Sequence, residues 1–311
     1  MPLVIIGLGK LGGREINYGS DLDIAFVAGS KAKDLPKLQR LAAELMDYLS
    51  QPTEQGMVFV TDARLRPDGE KGLLVNQLAA YEEYYRRRAQ LWEIQSLSRA
   101  RPVAGDFTLG AEFARLVAGL ANFSDENVRA GFPLPATTVA AKKTASPRRS
   151  RAAATGTATG LAAYTPDWKQ QIARMRQRIE KERTPAGQDH LAIKTGVGGL
   201  MDAEFIAQAL SLAHGWREAN TLRALERARE TGALSAADAD LLIANFRQVL
   251  RVECILRRWS FEGEVVLPDH PAPLYRVAVR CGYPNADEFM RAMAKWRRAI
   301  RSVYEKVFPR V

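Results

Sequence analysis

Residues 7–12 read Gly7-Leu8-Gly9-Lys10-Leu11-Gly12, and after a polar connection residues 19–26 read Gly19-Ser20-Asp21-Leu22-Asp23-Ile24-Ala25-Phe26. The apolar run Leu3-Val4-Ile5-Ile6 precedes the glycines and Leu22 to Val27 follows them, which predicts strand, glycine-rich turn, strand. Side chains two apart on a strand share a face, so the carboxylates of Asp21 and Asp23 point to one side. Two such groups repel each other unless a cation lies between them. Hard oxygen donors suit Mg²⁺, which takes one or two protein carboxylates and completes its shell from water and substrate phosphates. The glycines also match G-x-G-x-x-G, but a dinucleotide fold needs a helix of several turns after them and an acid at the end of the second strand. Here the second strand starts at Leu22, and the acid's place falls within Ile24-Ala25-Phe26-Val27-Ala28-Gly29, so NAD and FAD are set aside.

Working outward, Pro36 to Leu49 carries Leu38, Leu41, Ala42, Leu45, Met46 and Leu49 at three- and four-residue spacing, an amphipathic helix. Gly56 to Leu65 is expected to be a third strand, on which alternation puts Val58, Val60, Asp62, Arg64 and Arg66 on one face. Asp62 can then join the first two carboxylates. Three aspartates clamping metal would neutralise a triphosphate, align an attacking oxygen and stabilise a leaving pyrophosphate. Arginines in the same row would grip phosphate oxygens in bidentate fashion. The plainer alternative is an ion pair between Asp62 and Arg64.

The whole chain has 311 residues, 47% of them hydrophobic, which provides for a core and excludes a wholly disordered chain. No apolar run reaches the roughly 20 residues of a membrane span, and the first residues lack the basic and long apolar regions of a signal peptide. A cytoplasmic protein without membrane contact is expected. Two cysteines and three histidines offer neither a disulfide framework nor a zinc site. The net charge of +10 suggests an anionic partner, but half of it comes from five basic residues within 133–166, where no acid occurs. That Ala-, Thr-, Ser- and Pro-rich segment reads as a disordered insert, with an RNA-binding arm as the sharper alternative; nucleic acid is not the expected partner. Beyond it, Asp167 to Arg183 reads as a helix, His190 to Lys194 as a short strand, and helices dominate from Asp202, one beginning at Ser235 and Asp238 and the last running from Asp287 to Phe308.

The glycine turn, Asp-x-Asp and third Asp resemble those of the DNA polymerase β-like nucleotidyltransferases. Within that superfamily the sequence is similar to the glutamine synthetase adenylyltransferase family, large bifunctional enzymes that add AMP to glutamine synthetase and remove it. Four stretches carry the likeness: Gly7 to Asp23; Asp62-Ala63-Arg64-Leu65-Arg66-Pro67-Asp68-Gly69 with Gly72-Leu73-Leu74-Val75; Trp92-Glu93-Ile94-Gln95 with Arg99 to Asp106; and Ile193-Lys194-Thr195-Gly196-Val197-Gly198-Gly199-Leu200-Met201-Asp202-Ala203-Glu204-Phe205.

The resemblance implies an α+β fold, a mixed sheet with flanking helices followed by an α-helical bundle. It divides the chain into a nucleotidyltransferase domain over residues 1–205, interrupted by the insert at 133–166, and a helical bundle over 206–311. It implies that Asp21, Asp23 and Asp62 are the catalytic, metal-binding triad for Mg²⁺. Gly9, Lys10, Gly12, Gly13, Ser20, Arg64, Arg66 and Lys194 would bind ATP. Trp92, Glu93, Arg99 and Arg101 are expected on one helix with the tyrosines and arginines of 81–88. Asp202 and Glu204 receive no chemical role. The implied partners are glutamine synthetase and a PII signal protein. The RLRP motif, and Asp202 where the deadenylylating half tends to show Glu, resemble the adenylylating half of the family enzymes.

Overall fold

The computed structural model describes residues 2–30, 32, 34–54, 56, 59–134, 160–260 and 263–309. Its sheet is built on β2 (Leu22–Ala28), which pairs antiparallel with β1 (Leu3–Gly7) on one edge. On its other edge β2 pairs in parallel with β3 (Thr61–Asp62) near its start and with β4 (Val75–Gln77) near its end. The antiparallel strand β5 (Arg101–Gly105) closes the far side of β1.

Alternation along β2 explains why the sheet sits where it does. Ile24, Phe26 and Ala28 enter one core with Leu38 and Ala42 of α2 (Leu35–Ser50) and with Val75. Ala25 and Val27 face the other core, shared with Tyr81 of α3 (Leu78–Arg87) and with Leu109 and Phe113 of α5 (Phe107–Leu120). A strand apolar on both sides is thereby covered on both.

A four-residue helix, α1 (Gly9–Gly12), joins β1 to the loop before β2. So short a helix has little stability of its own. Arg101 caps it, donating from Nε to the Gly12 carbonyl and from Nη2 to that of Leu11, 3.0 Å in each case.

Two expected elements differ. The third strand contracts to Thr61–Asp62, because the Asp62 carboxylate accepts from the Arg64 backbone N–H at 2.8 Å and turns the chain out of the sheet. Of its expected earlier part, Met57 and Val58 lie outside the described residues. His190 to Lys194 forms turns with a single bridge, Ala192 to Val266, since Leu191 and Ala192 donate back to Gln188.

The single helix expected to carry Trp92 to Arg101 is divided among elements. Trp92 and Glu93 lie on α4 (Leu91–Leu97), Arg99 lies in the turn after it, and Arg101 is in β5. Trp92 is exposed, and Glu93 caps its own helix, accepting from the Gln90 N–H at 2.7 Å and from the Tyr84 hydroxyl at 2.6 Å.

The last residues of the expected insert are packed. Residues 135–159 lie outside the described residues, but Leu161 is buried and Tyr164 packs 5.2 Å from the Phe123 ring and 5.3 Å from that of Phe132. Trp168 completes this cluster 5.1 Å from Phe123, which stands two residues before α6 (Asp125–Arg129). The apolar Leu161 and Tyr164 give the end of the segment something to bury.

The second part is helical: α7 (Trp168–Arg183), α8 (Leu200–His214), α9 (Thr221–Glu230), α10 (Ala236–Ser260), α11 (Pro271–Arg280) and α12 (Ala286–Val307). Phe205 lies inside α8, which packs on α7, α9, α10 and α12. Asp202 is fully buried, 2.7 Å from Arg176 Nε and 3.3 Å from Arg301 Nη1, and it accepts from the Gly198 N–H at 2.9 Å. It thus ties α7, α8 and α12 to the loop that follows Lys194. Removing one partner of a buried pair strands the other's charge. Asp202→Ala is expected to lose about 3 kcal/mol of folding stability, near the low end for such pairs because Glu180 remains beside Arg176, and urea unfolding would measure it.

Candidate active site

The turn after β1 lies directly on the Asp23 carboxylate. Gly9 has φ +49°, and a Cβ there would sit 2.0 Å from Asp23 Oδ2, so only glycine fits. Asp62 of β3 stands opposite Asp23 of β2 in the parallel register, and Asp21 precedes on the same strand line. Asp23 is half-buried, and burial together with Asp62 and Asp21 pushes its carboxyl up to about 6, against the pull of Lys194 and Arg99.

Asp62 behaves oppositely, held below the usual carboxylate range chiefly by its hydrogen bond to Arg64. Arg64 Nε lies 2.9 Å and Nη2 2.5 Å from Asp62 Oδ2. Of the two readings of this pair, the ion pair forms, while Asp62 still faces Asp23.

Among the described residues no three His, Cys, Asp or Glu side chains form a finished metal cage. The donor set nonetheless fits a hard divalent cation. A carboxyl that burial and then two neighbouring carboxylates drive to hold its proton is short of a counter-cation, and such an ion can be held by one or two protein carboxylates beside water and phosphate oxygens.

A cleft of about 1290 Å³ opens over these groups, lined among others by Lys10, Ser20, Asp21, Asp23, Arg183 and Lys194. Binding pockets run to roughly 300–1,000 Å³, so a nucleotide has room with space left for an acceptor. Ser20 is buried at its floor, its Oγ accepting from the Asn17 N–H at 3.1 Å.

The remaining expected ligands divide between cleft and scaffold. Lys194 lines the cleft near Asp23. Lys10 also lines it, but its Nζ is held 2.8 Å from Glu253 Oε1. Gly12 and Gly13 pack against Arg99, where a Cβ on Gly12 would lie 1.9 Å from the Arg99 carbonyl oxygen. Arg66 donates from Nη1 to the Ala63 carbonyl at 2.6 Å, and its other nitrogens reach the Gly72 carbonyl at 3.4 Å, which folds the loop after β3.

Three further residues hold the site together. Glu253 on α10 is fully buried and meets both Lys10 and, at 3.2 Å, Arg257 Nε. Arg257 Nη1 donates to the Tyr18 carbonyl at 3.1 Å, and the Asn17 amide donates to Cys254 Sγ at 3.3 Å. Glu15 pairs with Arg99 and accepts from the Thr221 N–H at the start of α9. The sequence carries one signal for Glu253: an acid beside Val249, Val252 and Leu256 on the buried stripe of α10 requires a partner.

A family model described as glutamate-ammonia ligase adenylyltransferase matches residues 1–116. A bifunctional glutamine synthetase adenylyltransferase/adenylyl-removing enzyme of Streptomyces avermitilis is 30% identical over 99% of this chain. By sequence the chain is similar to the glutamine synthetase adenylyltransferase family along nearly its whole length. Proteins of the same name from Streptomyces coelicolor and Mycobacterium tuberculosis are each 32% identical, over 99% and 98% of the chain. A second model, described as GlnD PII-uridylyltransferase, matches residues 167–308. The chain spans 28% of the length of each of these three relatives. The family's nucleotidyltransferase architecture is the one seen here, a small mixed sheet with flanking helices followed by a helical region. Among the described residues no helix is long and apolar enough to cross a membrane.

The raised carboxyl of Asp23 has a consequence for stability. Its folded value of about 6 exceeds the ordinary 3.8, so ionising it costs the fold free energy, a cost complete above pH 6 and absent below about pH 4. Asp23→Asn should therefore raise the melting temperature of the metal-free protein at pH 7.5, with the gain shrinking to nothing by pH 4. Paired thermal melts at the two pH values check this.

Proposed function

We propose that this chain transfers the AMP moiety of ATP to a tyrosine hydroxyl of glutamine synthetase. The observation that carries this reading is the parallel register that sets Asp62 opposite Asp23, a residue lining a cleft of nucleotide size. In the reaction the tyrosine oxygen forms a bond to the α-phosphorus, the bond to the bridging oxygen breaks, and the hydroxyl proton passes to solvent. Pyrophosphate leaves. Asp21, Asp23 and Asp62 would hold Mg²⁺, which when bound neutralises the phosphates. The chain's own residues fix the geometry: Gly9 lets the turn approach Asp23, Ser20 shapes the cleft floor, and Lys194 adds positive charge beside the phosphates. Positioning and charge complementarity of this kind account for most of the barrier lowering in nucleotidyl transfer.

The relatives' names join adenylyltransferase and adenylyl-removing activities, which favours a second direction on the same type of site. There inorganic phosphate attacks the phosphorus of the AMP-tyrosine, releasing the tyrosine and forming ADP. The RLRP motif and Asp202 favour the adenylylating direction for this chain. We further propose residues 1–205 as the nucleotidyltransferase domain and 206–311 as a helical bundle, a PII signal protein as the regulator, and the cytoplasm as the compartment.

Intact-mass measurement of glutamine synthetase after incubation with this chain and Mg·ATP tests the proposal. An AMP adduct is expected, and Asp21→Asn or Asp23→Asn should slow its formation on the order of 10²-fold or more. Wild-type rates retained by both variants would overturn the mechanism. Loss of AMP from adenylylated synthetase on adding phosphate, without any adduct in the forward arm, would reverse the direction.

A further inference from the structure

Four cations line the cleft, namely Lys10, Arg183, Lys194 and Arg257. Two are already committed. Lys10 Nζ lies 2.8 and 3.1 Å from the two carboxylate oxygens of Glu253, a residue with no exposed surface. Arg257 divides its guanidinium between the same carboxylate and the Tyr18 carbonyl. For Lys10 to turn toward a phosphate it would have to strip a fully buried carboxylate of one of its two counter-charges, which is strongly unfavourable.

The other two are differently placed. The side chains of Arg183 and Lys194 make no hydrogen bond or ion pair among the described residues. The backbones that carry them are tied together. Arg183 closes α7 and precedes Thr184, Lys194 precedes Thr195, and the hydroxyls of these two threonines lie 3.0 Å apart. The backbone after Lys194 is fixed, with Arg176 Nη2 on the Gly196 carbonyl at 3.0 Å and Arg297 Nε on that of Val197 at 2.8 Å. Two cations lining one cleft, neither of them held in an ion pair, make a receptor for a polyanion.

We infer that the β- and γ-phosphates of the nucleotide are received by Arg183 and Lys194, and that Lys10 is a strut that Glu253 holds in the scaffold and no phosphate ligand. This rests on the reading of the cleft as a nucleotide site. It assigns Arg183 a binding role, and it moves Lys10 from the ligand set to the positioning set.

Calorimetric titration of the full chain with ATP, pyrophosphate and AMP, each with Mg²⁺, separates these roles. Arg183 is exposed, so Arg183→Ala leaves the fold intact. It should weaken ATP and pyrophosphate at least tenfold while leaving AMP within twofold, and Lys194→Ala should act in the same sense. Lys10→Gln, which keeps a neutral hydrogen bond to Glu253 and leaves that carboxylate paired with Arg257, should leave the ratio of pyrophosphate to AMP affinity within threefold of wild type. Selective loss of pyrophosphate affinity in Lys10→Gln, or none in Arg183→Ala, overturns the inference while the nucleotide reading stands. A wild-type chain that binds none of the three ligands overturns the nucleotide reading itself, and the inference with it.

Discussion

Glu253 is a carboxylate without contact with solvent, and the arrangement of the cleft follows from what it requires. A buried charge must be paired, and its partners come from opposite ends of the chain, Lys10 on α1 and Arg257 one helical turn along α10. Arg257 passes the constraint on to the Tyr18 carbonyl, immediately before Ser20 and Asp21. The turn that presents the carboxylates is thus shaped against the helical part. A helix of four residues and a polar loop acquire the rigidity that neither has alone, because their hydrogen-bond partners lie on elements that are themselves packed. Glu15, meeting Arg99 and the start of α9, repeats the device on the other side of α1.

The same logic governs the loop after Lys194. Asp202 is part of a buried ion cluster with Arg176 and Arg301, and Gly198, at φ +69°, lies so close to the Arg297 carbonyl oxygen that a Cβ would stand 2.0 Å from it. Here the helices hold a strip of backbone from three sides. The fourth sequence motif is largely architecture, and what it contributes to the cleft is Lys194 with Thr195 and Met201.

Much of this was legible in the sequence, where local chemistry decides. Asp21 and Asp23 line one cleft, although Asp21 stands just before the strand, the apolar spacing of 36–49 gave α2, and Ser235 with Asp238 marked the start of α10, where the Asp238 N–H meets Ser235 Oγ at 3.1 Å. What failed to show depended on distant partners. Alternation extended the third strand through Arg66, but an Asp62 side chain that bonds its own backbone ends it after two residues. The run from Trp92 to Arg101 has helical composition, yet Arg101 joins the sheet because β1 offers it an edge. Lys10 has the look of a phosphate ligand in every local respect. The carboxylate that holds its ammonium group lies 243 positions away.

The aromatic cluster of Phe123, Phe132, Tyr164 and Trp168 has a bearing on how this gene can change. It fastens the chain at Phe132 and again at Tyr164, rings 5.3 Å apart, so that whatever runs between them departs and returns at one point on the surface. Closing a longer excursion between fixed ends adds only about 0.6 kcal/mol per doubling of its length. A change in the length of what runs between these two points therefore alters the cost of closing the chain by little.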